Sequence, residues 1–347
     1  MKKDGIKILE KLVSFNTIKD KENTEIIKYI TGELKSLGFN IIYSKKAIIA
    51  EYGKNFKLGF LSHTDTVDVN KESWETDPFV LTEKDGFLYG LGSCDTKSTL
   101  AAFLEAVSLI DLNKLDYGLK IYITYDEEIS FKGALEVIEN EKMFPEYMLI
   151  GEPTDNKIDT ACKGILEIRA DFKGKRAHAS TPDKGVNSNL NAINFFNEMN
   201  KYYLDNIYMD KEELFPVPET TFTLTKMEGG DIKNGVPEHT TLLIDSRISK
   251  KEHLDILKEK LEETAKKYGG IISYGDCLYP FNNDIDFVLE KHASSFITEA
   301  SLIDTKYKMI LGAGPVTAHE ANEHISISSF KKLVEQYKEI IAKTCND

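Results

Sequence analysis

The chain has 347 residues, 41% hydrophobic and 29% charged, with a formal net charge of −13 at pH 7. That length fits two moderate domains, and that composition fits a globular chain rather than a disordered one. The acidic balance argues against a nucleic-acid surface, no apolar run is long enough to span a bilayer, and Cys94, Cys162, Cys277 and Cys345 are too scattered for a disulfide framework, so a reducing cytoplasm is the expected location.

After a charged, amphipathic lead-in unlike a signal-peptide core, Ile26, Ile27, Ile30, Leu34 and Leu37 recur at helical spacing and Gly38 supplies a stop. Residues 41–43, 47–50 and 57–61 read as short apolar strands, and 97–110 as a helix with Leu100, Phe103, Leu104 and Val107 on one face. Strands follow at 119–125 and 147–150. Beyond Cys162 the pattern changes. Alternating strands at 165–172, 221–225 and 241–245 are interleaved with helices at 189–203 and 251–267, a strand–helix–strand–strand–helix–strand order that suggests a small unit of sheet and helices. The first pattern then returns, with a helix near 287–292, a strand at 309–311 and a last helix at 326–343. The expected fold class is α/β, a large sheet domain interrupted by a smaller inserted one.

Chemistry-bearing residues cluster at strand ends. Ser62-His63-Thr64-Asp65 follows one strand, Asp126-Glu127-Glu128 a second and Gly151-Glu152-Pro153-Thr154 a third, and His319 trails a fourth. Asp95 closes the Gly-rich turn that starts at Gly90. In open α/β sheets, sites form beyond the carboxyl ends of the strands. Each residue alone has a plainer reading, as a surface histidine, a solvated loop or a turn. Together they would gather carboxylates that repel one another unless a divalent metal, or a pair, balances them. Histidine and carboxylate ligands without cysteine favour zinc, cobalt or manganese.

These motifs, with Gly90–Lys97 and Ala318-His319-Glu320-Ala321-Asn322-Glu323, resemble over nearly the whole chain the two-metal amidohydrolase and exopeptidase family. Acetylornithine deacetylase, succinyl-diaminopimelate desuccinylase, aminoacylase and glutamate carboxypeptidase belong to that family. Thr298-Glu299-Ala300, Gly312 and His319 look most like the acetylornithine deacetylases. The resemblance implies a mixed-sheet catalytic domain with helices on both faces (1–162 and 278–347) and an inserted α+β lid, or dimerisation, domain (163–277). It implies two divalent metals, zinc with cobalt as a substitute. His63, Asp95 and Glu152 would hold one, and Asp95, Glu128 and His319 the other, with Asp95 bridging. Asp65 would orient His63, Glu127 would be the general base, and the Asp95–Thr96 peptide would be cis. In the lid, His178 would reach the partner's site in a homodimer, and Asn234 and Arg247 would bind a substrate carboxylate.

The implied reaction is amide hydrolysis of a small N-acyl amino acid, with N-acetylornithine first. A succinyl-diaminopimelate desuccinylase and a dipeptidase or carboxypeptidase with the same metals are the alternatives. Leu91, Thr96-Lys97-Ser98-Thr99 and Ala313 depart from the usual pattern without touching a metal position, so they bear on substrate choice. A phosphate-binding loop at 90–98 is disfavoured, because Thr96 rather than glycine precedes Lys97 and Asp95 would repel phosphate.

Overall fold

The computed structural model describes residues 2–18, 23–288 and 290–346. The chain divides into two compact units, one formed by residues 1–160, 283–292 and 298–347 and the other by 161–282 and 293–297. Among the described residues no helix is long and apolar enough to cross a membrane.

The first unit is built on a mixed sheet. Asn40–Ser44 pairs antiparallel with Ile48–Tyr52, which pairs antiparallel with Leu119–Thr124. From there the sheet is parallel, through Leu58–His63, Tyr147–Ile150 and Tyr307–Ile310. The register places His63 beside Thr124, and Ile150 beside both Leu61 and Ile310. All four parallel strands therefore end on one edge, and the chain leaving each one enters the same space. These strands are largely apolar, Lys120 and Lys308 being the charged exceptions, because both faces are covered. On one face Phe60 stacks on Phe103 of the helix Lys97–Leu109, at 3.9 Å between ring centroids, and meets Tyr337 of the helix Ile327–Cys345 edge-on at 5.7 Å. The helices Gly5–Val13 and Thr24–Ser36 add Leu9, Leu12, Ile30 and Leu34 to this core. Tyr122 points to the opposite face, where its hydroxyl donates to Glu141 at the end of the helix Lys132–Asn140. A separate three-stranded sheet, His324–Ser326 with Phe87–Tyr89 and Thr82–Lys84, sits beside the Gly90 turn.

The inserted unit has an antiparallel sheet in the order Thr223–Gly229, His239–Ile248, Gly164–Lys173, Gly270–Leu278. The helices Ser188–Asn206 and Lys251–Lys267 cover one face of it, packing Phe195, Met199, Leu257 and Leu261 against Leu166, Ile168, Leu242 and Ile244. Alternate residues such as Arg169, Asp171, Thr241 and Asp245 stay partly or fully open on the other face, as the period-two pattern requires.

Two elements differ from the sequence reading. The helix expected near 287–292 does not form. Asp286 and Phe287 lie in a turn and His292–Ser294 is a short strand, with Leu289 outside the described residues. Phe287 and Val288 pack on the core of the first unit, which explains apolar residues without a helix. The lead-in, conversely, is a true helix, Gly5–Val13, N-capped by Asp4, whose side chain accepts from Lys7 N.

Candidate functional site

His63 is the last residue of its strand and only 1% exposed. Its Nε2 lies 3.1 Å from Asp95 Oδ1 and 3.7 Å from Glu152 Oε1. Its Nδ1 lies 3.2 Å from the Asp65 carbonyl oxygen and 3.4 Å from Asp65 Oδ1, so this nitrogen carries the proton and Nε2 faces the cluster. The Asp65 carboxylate also accepts from Glu128 N at 3.2 Å, which ties the first strand end to the second.

The other oxygen of Asp95 turns the opposite way, 3.4 Å from His319 Nε2, and that nitrogen is 3.0 Å from Glu128 Oε2. One carboxylate thus stands between two histidines, each with its own glutamate. His63, Asp95 and Glu128 alone offer three ligand atoms within 4.8 Å of one another. The Asp95–Thr96 peptide is cis. The turn that presents Glu127 and Glu128 is organised by Asp126, at φ 60°, whose carbonyl accepts from Ser130 N and Phe131 N and whose carboxylate accepts from the Ser130 hydroxyl.

The electrostatics follow from this crowding. Burial pushes the Glu152 carboxyl well above the usual carboxylate range, with the charges of Asp95, Glu127 and Glu299 adding to it and His63 opposing. Glu127, partly open to solvent but walled by protein, is raised in the same way by burial, against His63 and reinforced by Glu299, Asp95 and Glu128. Burial would raise Asp95 too, but hydrogen bonds from His319 and His63 outweigh it and hold that carboxyl low. His319 is pushed up to about 10 by its bonds to Asp95 and Glu128. Glu152 Oε1 is buried without a hydrogen-bond partner among the described residues. An orphaned carboxylate oxygen facing a histidine nitrogen across a cluster of like charges is the donor set a divalent cation satisfies, so these side chains fit one.

Three further buried groups belong to this neighbourhood. Glu299 is fully buried, accepts from Thr124 Oγ1 at 2.8 Å through one oxygen, and leaves the other without a partner among the described residues. Burial pushes it to about 7. Lys97 is fully buried and donates to the Phe15 carbonyl at 3.0 Å, with burial lowering it to about 7 against the charges of Glu323 and Asp65. Glu323 accepts from three backbone N–H groups of the Gly90–Asp95 turn. Sequence reading placed Glu299, Lys97 and Glu323 in motifs without giving them work. Only Glu299, between Thr298 and Ala300 in a run of small residues, carried a local signal.

The remaining expected residues lie in the inserted unit. His178 and Asn234 are neighbours there: the short strands Ala177–His178 and Gly235–Val236 pair, and Ala179 N donates to the Asn234 carbonyl. Ser180 N donates to His178 Nδ1 at 3.2 Å, and the Ser180 hydroxyl lies 2.7 Å from the same atom. A nitrogen that accepts from a backbone amide carries no proton, so in the neutral ring Nε2–H is the free donor. Arg247 presents Nε and Nη2 to Asp245 at 3.0 and 3.1 Å, which leaves the terminal edge of its fork.

Parallel strands that deliver histidines and carboxylates to one cation-fitting cluster define the class, a metal-dependent hydrolase of the metallopeptidase and amidohydrolase kind. The sequence profile of peptidase family M20/M25/M40 matches residues 59–343. The chain is 31% identical to acetylornithine deacetylase of Pasteurella multocida (strain Pm70), over 94% of this chain and 92% of that protein. Its fold is similar to that of a tripeptidase from Staphylococcus aureus, at 23% identity, TM-score 0.75 and 98% coverage of both chains. It is also similar to an M20-family metallo-carboxypeptidase from Sulfolobus solfataricus, at 19% identity, TM-score 0.76 and 98% coverage of both. This chain belongs to peptidase family M20/M25/M40.

Proposed function

We propose that the chain is a two-metal amidohydrolase that removes the acyl group from a small N-acyl amino acid, with N-acetylornithine the favoured substrate. The observation that carries the metal reading is the placement of Asp95, one oxygen toward His63 and the other toward His319. His63, Asp95 and Glu152 would hold one cation, and Asp95, Glu128 and His319 the second, zinc with cobalt able to substitute. The acetylornithine preference rests on the 31% identity to the Pasteurella multocida enzyme together with Thr298-Glu299-Ala300.

When bound, the cations supply Lewis acidity, making an attacking water acidic near neutral pH and polarising the acyl carbonyl. The work of the chain's own residues is proton transfer and orientation. Glu127 takes one proton from the water as its oxygen bonds to the acyl carbon, then delivers that proton to the departing amine nitrogen as the carbon–nitrogen bond breaks. Asp65 keeps the His63 ring oriented. His178 would donate its Nε2–H to the carbonyl oxygen as negative charge develops there. Arg247 would grip the α-carboxylate with the edge Asp245 leaves free, beside Asn234.

The inserted unit is read as a lid and dimerisation domain, and the working form as a cytoplasmic homodimer whose His178 acts in the partner's site. Amine release from N-acetylornithine, N-succinyl-diaminopimelate and a set of dipeptides, before and after chelation, tests the chemistry. Full activity in chelated protein sinks the metal reading, and turnover confined to dipeptides replaces deacylation with a dipeptidase. Mixing His178→Ala and Glu127→Gln proteins tests the dimer: a mixed dimer keeps one intact site, so partial activity returns on subunit exchange. No return despite exchange rejects the trans arrangement.

A further inference from the structure

The turn Gly90–Asp95 aims its backbone N–H groups at a single point. Gly92 N, Cys94 N and Asp95 N lie 2.7, 2.7 and 2.8 Å from the carboxylate oxygens of Glu323. Successive backbone amides bent around a left-handed residue, here Gly92 at φ +80°, form a concavity that takes an anion. A β-carbon at position 92 would also stand 2.9 Å from Lys97 Cδ, so the bend requires glycine. The anion filling this concavity is part of the chain. Glu323 is 2% exposed.

Its backbone holds the same turn from the other side. The Glu323 carbonyl accepts from Gly90 N at 3.0 Å and from the Ser93 hydroxyl at 3.2 Å. Its position is set by the small sheet, in which His324 pairs with Tyr89 and Ile325 with Leu88, so residue 323 falls opposite Gly90. Glu323 also lies four positions after His319 in the chain. A single residue therefore joins the segment that carries His319 to the turn that carries Asp95.

We propose that Glu323 is a positioning residue that fixes the Asp95 carboxylate between His63 and His319 by clamping its turn, building the cation site before a cation arrives. The inference rests on the two-metal reading. Glutamate is needed because both oxygens must accept. Glutamine would turn an amide N–H toward a backbone N–H at one oxygen position, so one of the two accepting positions would be lost.

The test measures metal binding. Glu323→Gln and Glu128→Gln proteins are stripped of metal, checked for folding by circular dichroism and thermal melting, and titrated with Co2+ by visible absorption beside the parent. A folded Glu323→Gln protein is expected to bind Co2+ about 10- to 100-fold more weakly, the usual cost of losing a partner that orients a ligand. Its cobalt spectrum should change shape, which general destabilisation would not produce. Unchanged affinity in Glu323→Gln with weakened affinity in Glu128→Gln overturns the positioning role alone. Unchanged affinity in both overturns the metal reading itself. Should Glu323→Gln not fold, hydrogen exchange in the stripped parent decides: the amides of Gly92, Cys94 and Asp95 should already be protected. Protection that appears only after Co2+ is added rejects a turn held by Glu323.

Discussion

His63 and Glu152 are 1% and 4% exposed and hemmed in by other ionisable groups, whereas His178 and Asn234 lie at an exposed two-stranded pairing of the inserted unit. In the first unit charges sit where water is scarce, so they lean on buried hydrogen bonds and form a set that fits a cation. In the inserted unit the polar groups pay no such penalty, and local bonds settle only which atom each presents. Ser180 leaves His178 a free Nε2–H, and Asp245 leaves Arg247 one edge. Changes in the first set should therefore alter chemistry or metal affinity, and changes in the second should alter transition-state contacts or substrate affinity while metal content stays constant.

The largest expected effect belongs to Glu127→Gln, which should retain metal and lower kcat by about 10²-fold or more, as for loss of a general acid–base group. Elemental analysis beside steady-state kinetics checks it, and parental turnover would remove Glu127 from the mechanism. His178→Ala should lower kcat by about 10²-fold, the usual scale for one oxyanion donor, again at full metal content. Metal loss in that variant would break the comparison, because it would link an exposed histidine of the inserted unit to the buried cluster. Arg247→Lys should act chiefly on KM, raising it by roughly 10-fold, since a point charge replaces a planar fork at a carboxylate.

The smallest effect concerns stability. Burial raises Glu299 from an ordinary 4.5 to about 7, so the folded state keeps a proton that the unfolded chain releases as pH rises. Its contribution is fully present below the unfolded value and is lost as pH climbs from about 4.5 to about 7. In chelated protein, urea unfolding at a series of pH values should show this decline, and Glu299→Gln should make it shallower, with the raised Glu127 and Glu152 carboxyls supplying the rest. A slope unchanged by Glu299→Gln would place the proton elsewhere.

The strand-end placement of His63, Glu127, Glu128 and Glu152 was legible in the sequence because a buried parallel strand is a short, mostly apolar run, and its end marks where polar side chains become useful. The helix Lys97–Leu109 was equally plain. The helix Gly5–Val13 was not, because its lysines and glutamate masked the spacing of Ile8, Leu9, Leu12 and Val13. At 287–292 the apolar residues were real but served packing without periodicity. Glu323 stood inside a noted motif, yet its work is with backbone amides more than two hundred residues away, and backbone amides carry no letter in a sequence. The tautomer of His178 was hidden for the same reason.

The parallel strand Tyr307–Ile310 enters the chain only after the inserted unit, and His319 and Glu323 come later still. On the ribosome, the first three parallel strands and Asp95 emerge long before the residues that complete the cluster. A nascent chain therefore carries Asp95 on a turn that lacks its clamp, and it cannot hold a cation as the finished chain would. Domains fold as they emerge, but contacts this distant in sequence form late and at a cost in chain entropy. On the proposed ligand set, a chain truncated before His319 would keep only one complete set, His63, Asp95 and Glu152, and would bind a cation more weakly than the finished chain, however well its earlier strands had paired.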